Sequence, residues 1–391
     1  MPQPPLLVFE TSIRNFGSTG SCLFKLLQPL LGNYPLHVFA NDSDLPDSPL
    51  LTQFKIPLPR RPVFLRMFLY SLLSGCAYAL SGFKSGVRVS NDGQFPFCDI
   101  CYYHFSPRFL LSHRHEIATS AARRFARTLT YRWYALLQPL ALRRAVKIVV
   151  PSQGLARELE TTFPLLTKNK IEVIPNPVDT AHFRRAPEFD SAAMRTRLGI
   201  SPDAFVLTFC ALASFTAKGL KIIFEALEQI ADPRIHLIVI GGHAGEIGEY
   251  SNLARELRLT DKVHFVGLQT DIRPYLWCSQ LFVLPSAYET FGLVCFQAAA
   301  AGLPIIATRV YGLEEFLSNG VNGYLVERNV ESLASAIRLA AASPETAAAL
   351  GEKAQHDVKA YDTAIFQSRW LDLLEKEFGI RAVEQIEFAH N

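Results

Sequence analysis

The sequence predicts an α/β protein made of two doubly wound parallel-sheet domains. Three observations carry this. Short, continuous apolar runs alternate with helix-periodic segments along the chain, as expected of parallel strands covered on both faces by crossover helices. The alternation occurs twice, once before Pro175-Asn176-Pro177 and once after it, and such Pro/Asn punctuation marks a boundary. The 391 residues are 49% hydrophobic and 19% charged, enough for two or three cores at ~150 residues each.

The first series of predicted strands is Leu6–Glu10, Leu36–Ala40, Val87–Ser90, Ile100–His104, Lys147–Val150 and Ile171–Ile174. The second is Ala204–Cys210, His236–Ile240, Val263–Val266, Leu281–Leu284 and Pro304–Ala307. Helical periodicity marks Leu220–Ile230, Leu253–Leu259 and the amphipathic tail Ala364–Phe378. Arg184 to Ser201 reads as a polar connector. The domains are therefore drawn at 1–176, 177–363 and 364–391. Met67 to Phe83 is an uncharged apolar run of 17 residues after Arg66, just short of the ~18–20 needed to span a bilayer. It is expected to be a buried helix or one lying near a membrane surface. The start, MPQPPLLVFETS, lacks the basic and apolar regions of a signal peptide. Seven scattered cysteines point to a reducing, cytoplasmic setting. A net charge of +3 is too small to imply nucleic-acid binding.

The segment SAYETFGLVCFQAAAAGLPIIAT, residues 286–308, carries the clearest chemistry. A buried strand ends at Pro285-Ser286, and a helix is expected over about Gly292–Ala301. The first N–H groups of a helix have no intrahelical partners and lie at its positive end, which makes Phe291, Gly292, Leu293 and Val294 an anion site. Glu289 can accept bonds from hydroxyls, and Gln297 adds an amide. Hydroxyl, phosphate and hydroxyl in sequence is the shape of a nucleotide sugar. The same residues also fit a plain strand-loop-helix with a capping carboxylate and a solvent-facing Gln.

Residues 286–326 resemble the donor signature of family-4 retaining glycosyltransferases of the GT-B fold, whose pattern is Glu, seven residues, Glu. Four further segments resemble family elements in the same order: VKIVVPSQGLARELE (146–160), IEVIPNPVDTAHF (171–183), AKGLKIIFEAL (217–227) and VHFVGLQTDIRPYLWCSQLFVLPS (263–286). The resemblance implies two Rossmann-like domains facing a central cleft, with the 364–391 helix crossing back to the first. The N-terminal domain would take the acceptor and the C-terminal domain the donor. Glu289 would bind the donor sugar, and the backbone of Phe291, Gly292, Leu293 and Val294 the sugar and distal phosphate. Lys218 would bind the diphosphate, and Gly267 and Leu268 the nucleotide.

Two departures stand out. The second Glu is Gln297, which loses a charge-assisted bond to the ribose. An Arg common upstream of the Lys is absent from Ala211-Leu212-Ala213-Ser214, leaving Ser214 as a hydrogen-bond donor. In the first domain, Gly17 and Gly20 resemble the family's glycine loop. His104 matches a histidine facing the donor sugar, with His113, His115 and Asp92 as weaker candidates. The expected activity is metal-free, retaining transfer of a hexose from a nucleoside diphosphate sugar, UDP-glucose by frequency in the family. His104, Glu289 and Lys218 would be the catalytic groups. The acceptor would be a hydroxyl on a glycan or lipid-linked saccharide in cell-surface polysaccharide synthesis. A non-catalytic nucleotide-sugar-binding protein, or another GT-B enzyme such as an epimerase, stays open.

Three other signals carry less. Cys98 and Cys101 form a lone CxxC, read as packing cysteines on opposite faces of a strand. Asp42-Ser43-Asp44 resembles a metal-binding DxD but reads as a solvated turn. Arg114 to Lys147 holds nine basic residues, counting His115, against one acidic residue. Together with Arg60, Arg61 and Arg66 it suggests docking on an anionic membrane, which would make the protein peripheral on the inner face.

Overall fold

The computed structural model describes residues 4–17, 19–83, 85–112 and 121–381. The chain forms two compact units. Val178–Asp362 makes up one, and the described residues before and after it make up the other.

In the N-terminal unit the strands are β1 (Leu6–Phe9), β2 (Ser12–Ile13), β3 (Leu36–Ala40), β4 (Asp42–Ser43), β5 (Leu51–Lys55), β6 (Val87–Asn91), β7 (Ile100–Tyr102), β8 (Lys147–Val150) and β9 (Ile171–Val173). Seven of them form one sheet in the order β5-β3-β1-β6-β7-β8-β9, paired in parallel throughout. On one face Leu6, Val8, Val38 and Val89 are fully buried. On the other, Phe9 stacks between Phe39 at 4.6 Å and Phe95 at 3.9 Å. The chain reverses its strand order at β1, which lies between β3 and β6. In open parallel sheets, ligands bind outside the carboxyl ends of the strands at such a switch point.

The last described helix, Thr363–Phe378, belongs to this first unit. It buries Phe366, Trp370 and Leu374 in the same core, Gln367 donates to the Lys25 carbonyl at 2.8 Å, and Lys147 pairs with Glu377 at 3.0 Å. The amphipathic tail thus returns to the N-terminal unit because its apolar stripe completes that unit's core.

The second unit contains β10 (Phe205–Ala211), β11 (Ile235–Gly241), β12 (Val263–Gly267), β13 (Leu281–Leu284), β14 (Ile305–Thr308) and β15 (Gly323–Val326). Their order is β12-β11-β10-β13-β14-β15, again all parallel. The switch point is at β10, between β11 and β13.

Several sequence expectations need correction. Most of the run Met67–Phe83 lies in the 18-residue helix Val63–Leu80, which starts before Arg66 and is long and apolar enough to cross a bilayer, yet only Tyr70 and Ser74 in it are buried. It is not a core helix. The second helix before β12 is Ala244–Glu256, so Leu257–Leu259 lie beyond its end. The connector contains a helix, Ser191–Arg197, whose Arg195 is buried and donates to the carbonyls of Cys278 at 2.8 Å and Pro202 at 2.7 Å. Asp42 and Asp44 are not a solvated turn, because both pair with Arg14, at 2.9 and 3.1 Å, and Asp42 lies in β4 beside β2. Cys98 precedes β7 rather than lying on it, and both it and Cys101 are buried free thiols.

Candidate functional site

The switch point of the second unit brings together the loops that follow β10 and β13. After β10 the chain turns through Ser214, in left-handed conformation at φ 66°, into the short helix Phe215–Lys218. Glu246 accepts the Phe215 N–H at 2.6 Å. The two loops are then joined by three contacts. Ala287 N–H donates to the Ala217 carbonyl at 2.8 Å. Arg328 donates to the carbonyls of Pro285 at 3.3 Å and Thr216 at 3.2 Å. Gly219, at φ +82°, packs so closely that a Cβ there would stand 2.3 Å from the Pro285 carbonyl oxygen.

The result is a direct ion pair. Lys218 Nζ is 2.5 Å from Glu289 Oε1, with the two side chains 27% and 14% exposed. Two unit charges at ~4 Å attract by about 4 kcal/mol at an effective dielectric of 20. Each charge therefore holds the other in place until a ligand competes. Gly219→Ala forces backbone apart exactly where this pair is set, so we expect a loss of about 1–3 kcal/mol of stability, read as a lower urea midpoint.

Past Glu289, the helix runs Leu293–Ala300, with Gly292 as N-cap at φ 79° and no side chain capping it. A Cβ on Gly292 would press on Leu313 at 3.1 Å. Leu293, Val294 and Gln297 are half-buried, whereas Cys295, Phe296 and Ala298 are buried. Positions three and four apart share a helix face, so Gln297 lies on the Leu293/Val294 side. Phe291 stacks on Phe296 at 4.2 Å and holds the turn. Gly267, at φ 70°, and the 54%-exposed Leu268 lie at the end of edge strand β12, two strands from β10. They are not brought against the Lys218–Glu289 pair.

In the first unit, the switch point at β1 and β6 gathers Glu10, Asn91, Asp92 and Gln94, all buried. The Glu10 carboxylate accepts from the amides of Asn91 and Gln94 and from Ser12 N–H. Burial pushes its pKa up, and pushes that of Asp92 well up. Asp92 is held at φ 50° and accepts the His104 N–H at 2.7 Å. His104 stands two residues past the end of β7, its ring 4.0 Å from that of Tyr102. Gly17, at φ +98°, has open space where a Cβ would be, but Gly20 lies inside helix Thr19–Leu27 against the Ser12 carbonyl. Of the two, only Gly17 has open space beside its backbone. His113 and His115 lie outside the described residues.

Burial takes the His104 imidazole down to about 3. An unfolded chain titrates it near 6.5. Between these values the unfolded state binds more protons, so its stabilising contribution is complete above pH 6.5 and is lost as pH falls toward 3. From pH 7.5 to pH 5, the wild type should lose about 2 kcal/mol relative to His104→Gln, measurable as urea midpoints at the two pH values.

Sequence reading missed Glu10, Glu246 and Arg328. Glu10 ends the first strand run, which is a usable signal. Glu246 and Arg328 are remote in sequence from the loops they hold, and no local pattern points to them.

Two parallel-sheet units, with a lysine–carboxylate pair and an uncapped helix start at the second switch point, define a protein of the GT-B class. Residues 76–182 match the family model for Glycosyltransferase Family 4, and residues 191–357 match that for Glycosyl transferases group 1. The chain resembles the family-4 glycosyltransferases of the GT-B fold in both sequence and architecture. D-inositol 3-phosphate glycosyltransferase of Kribbella flavida is 34% identical over 200 residues, 47% of this chain and 46% of the relative. The chain spans about half the length of the curated relatives it matches. Among solved structures, WaaG, a glycosyltransferase involved in lipopolysaccharide biosynthesis, aligns with a TM-score of 0.77 and 17% identity, over 94% of this chain and 99% of WaaG. HepE of Anabaena in complex with UDP-glucose aligns at 0.71 and 19%, over 95% and 99%. At such identities the structural likeness speaks for the fold.

Proposed function

We propose that the protein transfers a hexose from a nucleoside diphosphate sugar, UDP-glucose in the first instance, to a hydroxyl of a glycan or lipid-linked saccharide, with retention at the anomeric carbon. The Lys218–Glu289 pair beside the uncapped start of helix Leu293–Ala300 is the observation that carries this reading. In it, Lys218 moves from Glu289 to the diphosphate, and the N–H groups near Gly292 take the distal phosphate. Glu289 is then released to orient the sugar hydroxyls. Lysine and helix dipole together stabilise the charge that develops on the leaving diphosphate, as preorganised electrostatics do.

No metal is needed in this scheme. The diphosphate accepts the proton of the attacking hydroxyl as the anomeric bond to it breaks, and the new bond forms on the same face. His104, kept neutral by burial, positions the sugar. The same reading places the protein in the cytoplasm, peripheral on the inner face of the membrane, in cell-surface polysaccharide synthesis. Incubating the protein with UDP-[14C]glucose and an extract of lipid-linked saccharides tests it. Label in a lipid-linked product supports transfer, and free glucose alone contradicts it.

One observation favours a second reading. Gln297 stands where the family signature has a carboxylate, so donor binding without turnover is also consistent with these residues. Restoring the acid distinguishes the two. Charge-assisted bonds are roughly twice as strong as neutral ones, so Gln297→Glu should tighten donor binding by about tenfold in calorimetry. In a transferase it should leave product formation intact, and in a pure binding protein no product appears with either side chain.

A further inference from the structure

At the amino-terminal ends of β10, β11 and β13, the side of the second sheet away from Lys218 and Glu289, lies a cavity of about 240 Å³. Four charged side chains line it, Arg195, Asp203, Asp232 and Arg234, together with Gln280. Arg234 and Asp232 neutralise each other through bonds of 3.1 and 2.7 Å. Arg195 has no such partner. It is 8% exposed. Its Nε and Nη1 donate only to backbone carbonyls, of Cys278 at 2.8 Å, Pro202 at 2.7 Å and Ala204 at 3.3 Å. Among the described residues no carboxylate pairs with it, and its Nη2 makes no bond. Carbonyl dipoles orient a cation without neutralising it, and a buried charge is ordinarily paired.

Gln280 is fixed beside it. Its Oε1 accepts the Val206 N–H at 2.7 Å, and its own N–H donates to the Val206 carbonyl at 2.8 Å. Arg195 is anchored on Ala204 and Cys278, each two residues earlier on the same two neighbouring segments. Among the described residues Gln280 Nε2 makes no bond. The cavity therefore holds two unbonded donors, one on a guanidinium and one on an amide, each kept in place from behind by backbone. Two such donors fit the two oxygens of a carboxylate, and the charged one makes the stronger bond. Asp203 lines the same cavity, is exposed, and makes no bond among the described residues. With Arg234 and Asp232 cancelling, one fixed positive charge and one negative charge stay unpaired around a single small space.

We propose that this cavity binds a small amino acid, its carboxylate on Arg195 Nη2 and Gln280 Nε2 and its ammonium group toward Asp203. The volume lies below the ~300–1,000 Å³ of pockets for drug-sized ligands, which suits a ligand of this size. None of the donor-site residues takes part, so the site stands or falls independently of the transferase reading.

The test is calorimetric titration of the full chain with L-alanine, L-leucine and L-glutamate, and with propionate and inorganic phosphate for comparison. At least one amino acid should give saturable heat and raise the urea midpoint, and propionate, which lacks the ammonium group, should bind at least ~tenfold more weakly. Gln280→Glu keeps an oxygen for the Val206 N–H but places a carboxylate where the ligand's would sit. It should weaken amino-acid binding by at least ~tenfold and raise the urea midpoint of the ligand-free protein, because it supplies the counter-charge that Arg195 lacks. Loss of a merely structural amide would lower that midpoint. Asp203→Asn, at an exposed position, should weaken amino-acid binding by ~tenfold and leave propionate unaffected. A cooperative urea transition reports an intact fold in each variant, and should Gln280→Glu not fold, Asp203→Asn decides. No heat from any of the three amino acids overturns the proposal. So does propionate or phosphate binding as tightly as the amino acid, or amino-acid binding that Asp203→Asn leaves unchanged.

Discussion

In Glu289→Ala, sugar transfer is expected to fall by at least about 10²–10³-fold, the loss typical of removing one preorganised group from a charged transition state. Free UDP is expected to bind at least as tightly as to the wild type. The reason is the ion pair. Lys218 spends part of its charge on Glu289 at 2.5 Å in the free protein, so UDP must displace a carboxylate that the variant lacks. UDP has no sugar hydroxyls for Glu289 to bind, and it gains the lysine at no loss. Product formation by scintillation counting and UDP affinity by calorimetry read the two halves separately. Equal loss of both would remove Glu289 from the sugar subsite and make it a structural partner of Lys218.

Lys218→Ala should act in the opposite way on binding. Hydrogen bonds to charged groups contribute about 1.5–3 kcal/mol, so UDP affinity is expected to fall by about 10–100-fold, and transfer with it. The variant also leaves Glu289, 14% exposed, without its cation. A double-mutant cycle separates these effects. If Lys218 meets the diphosphate directly, Glu289→Ala in the Lys218→Ala background should give no gain in UDP affinity. A gain there as large as in the wild-type background would mean that Glu289 repels the nucleotide directly, without acting through the lysine.

Much of this was legible in the sequence because burial on both faces writes itself as continuous apolar runs. β3, β8 and β13 were read to the residue. Of the four edge strands of the two large sheets, β9 and β12 were legible, whereas β5 and β15 were not. β5, LTQFK, is exposed or half-buried along its length and shows no apolar run, and β15 begins at a glycine, which leaves a run of only three residues, Tyr324 to Val326. Helix Val63–Leu80 shows the converse problem. Apolar composition says that a segment avoids water, and both a core and an interface satisfy that. Spacing alone could not bring Lys218 and Glu289 together, since 71 positions separate them. Strand order does so, because β10 and β13 are neighbours and their loops leave the same edge. Glycine's part was visible at Gly292, where a turn enters a helix. It was hidden at Gly219, whose need is set by Pro285 far along the chain.

Calorimetric titration of the wild type and of Lys218→Ala with UDP-glucose, GDP-glucose and ADP-glucose in EDTA tests the account most directly. The account predicts saturable heat from one of the three with the wild type, and at least tenfold weaker binding of that ligand in the variant. Heat that appears only after magnesium or manganese is added, or that survives unchanged in Lys218→Ala, would contradict a diphosphate site built from Lys218 and the start of helix Leu293–Ala300.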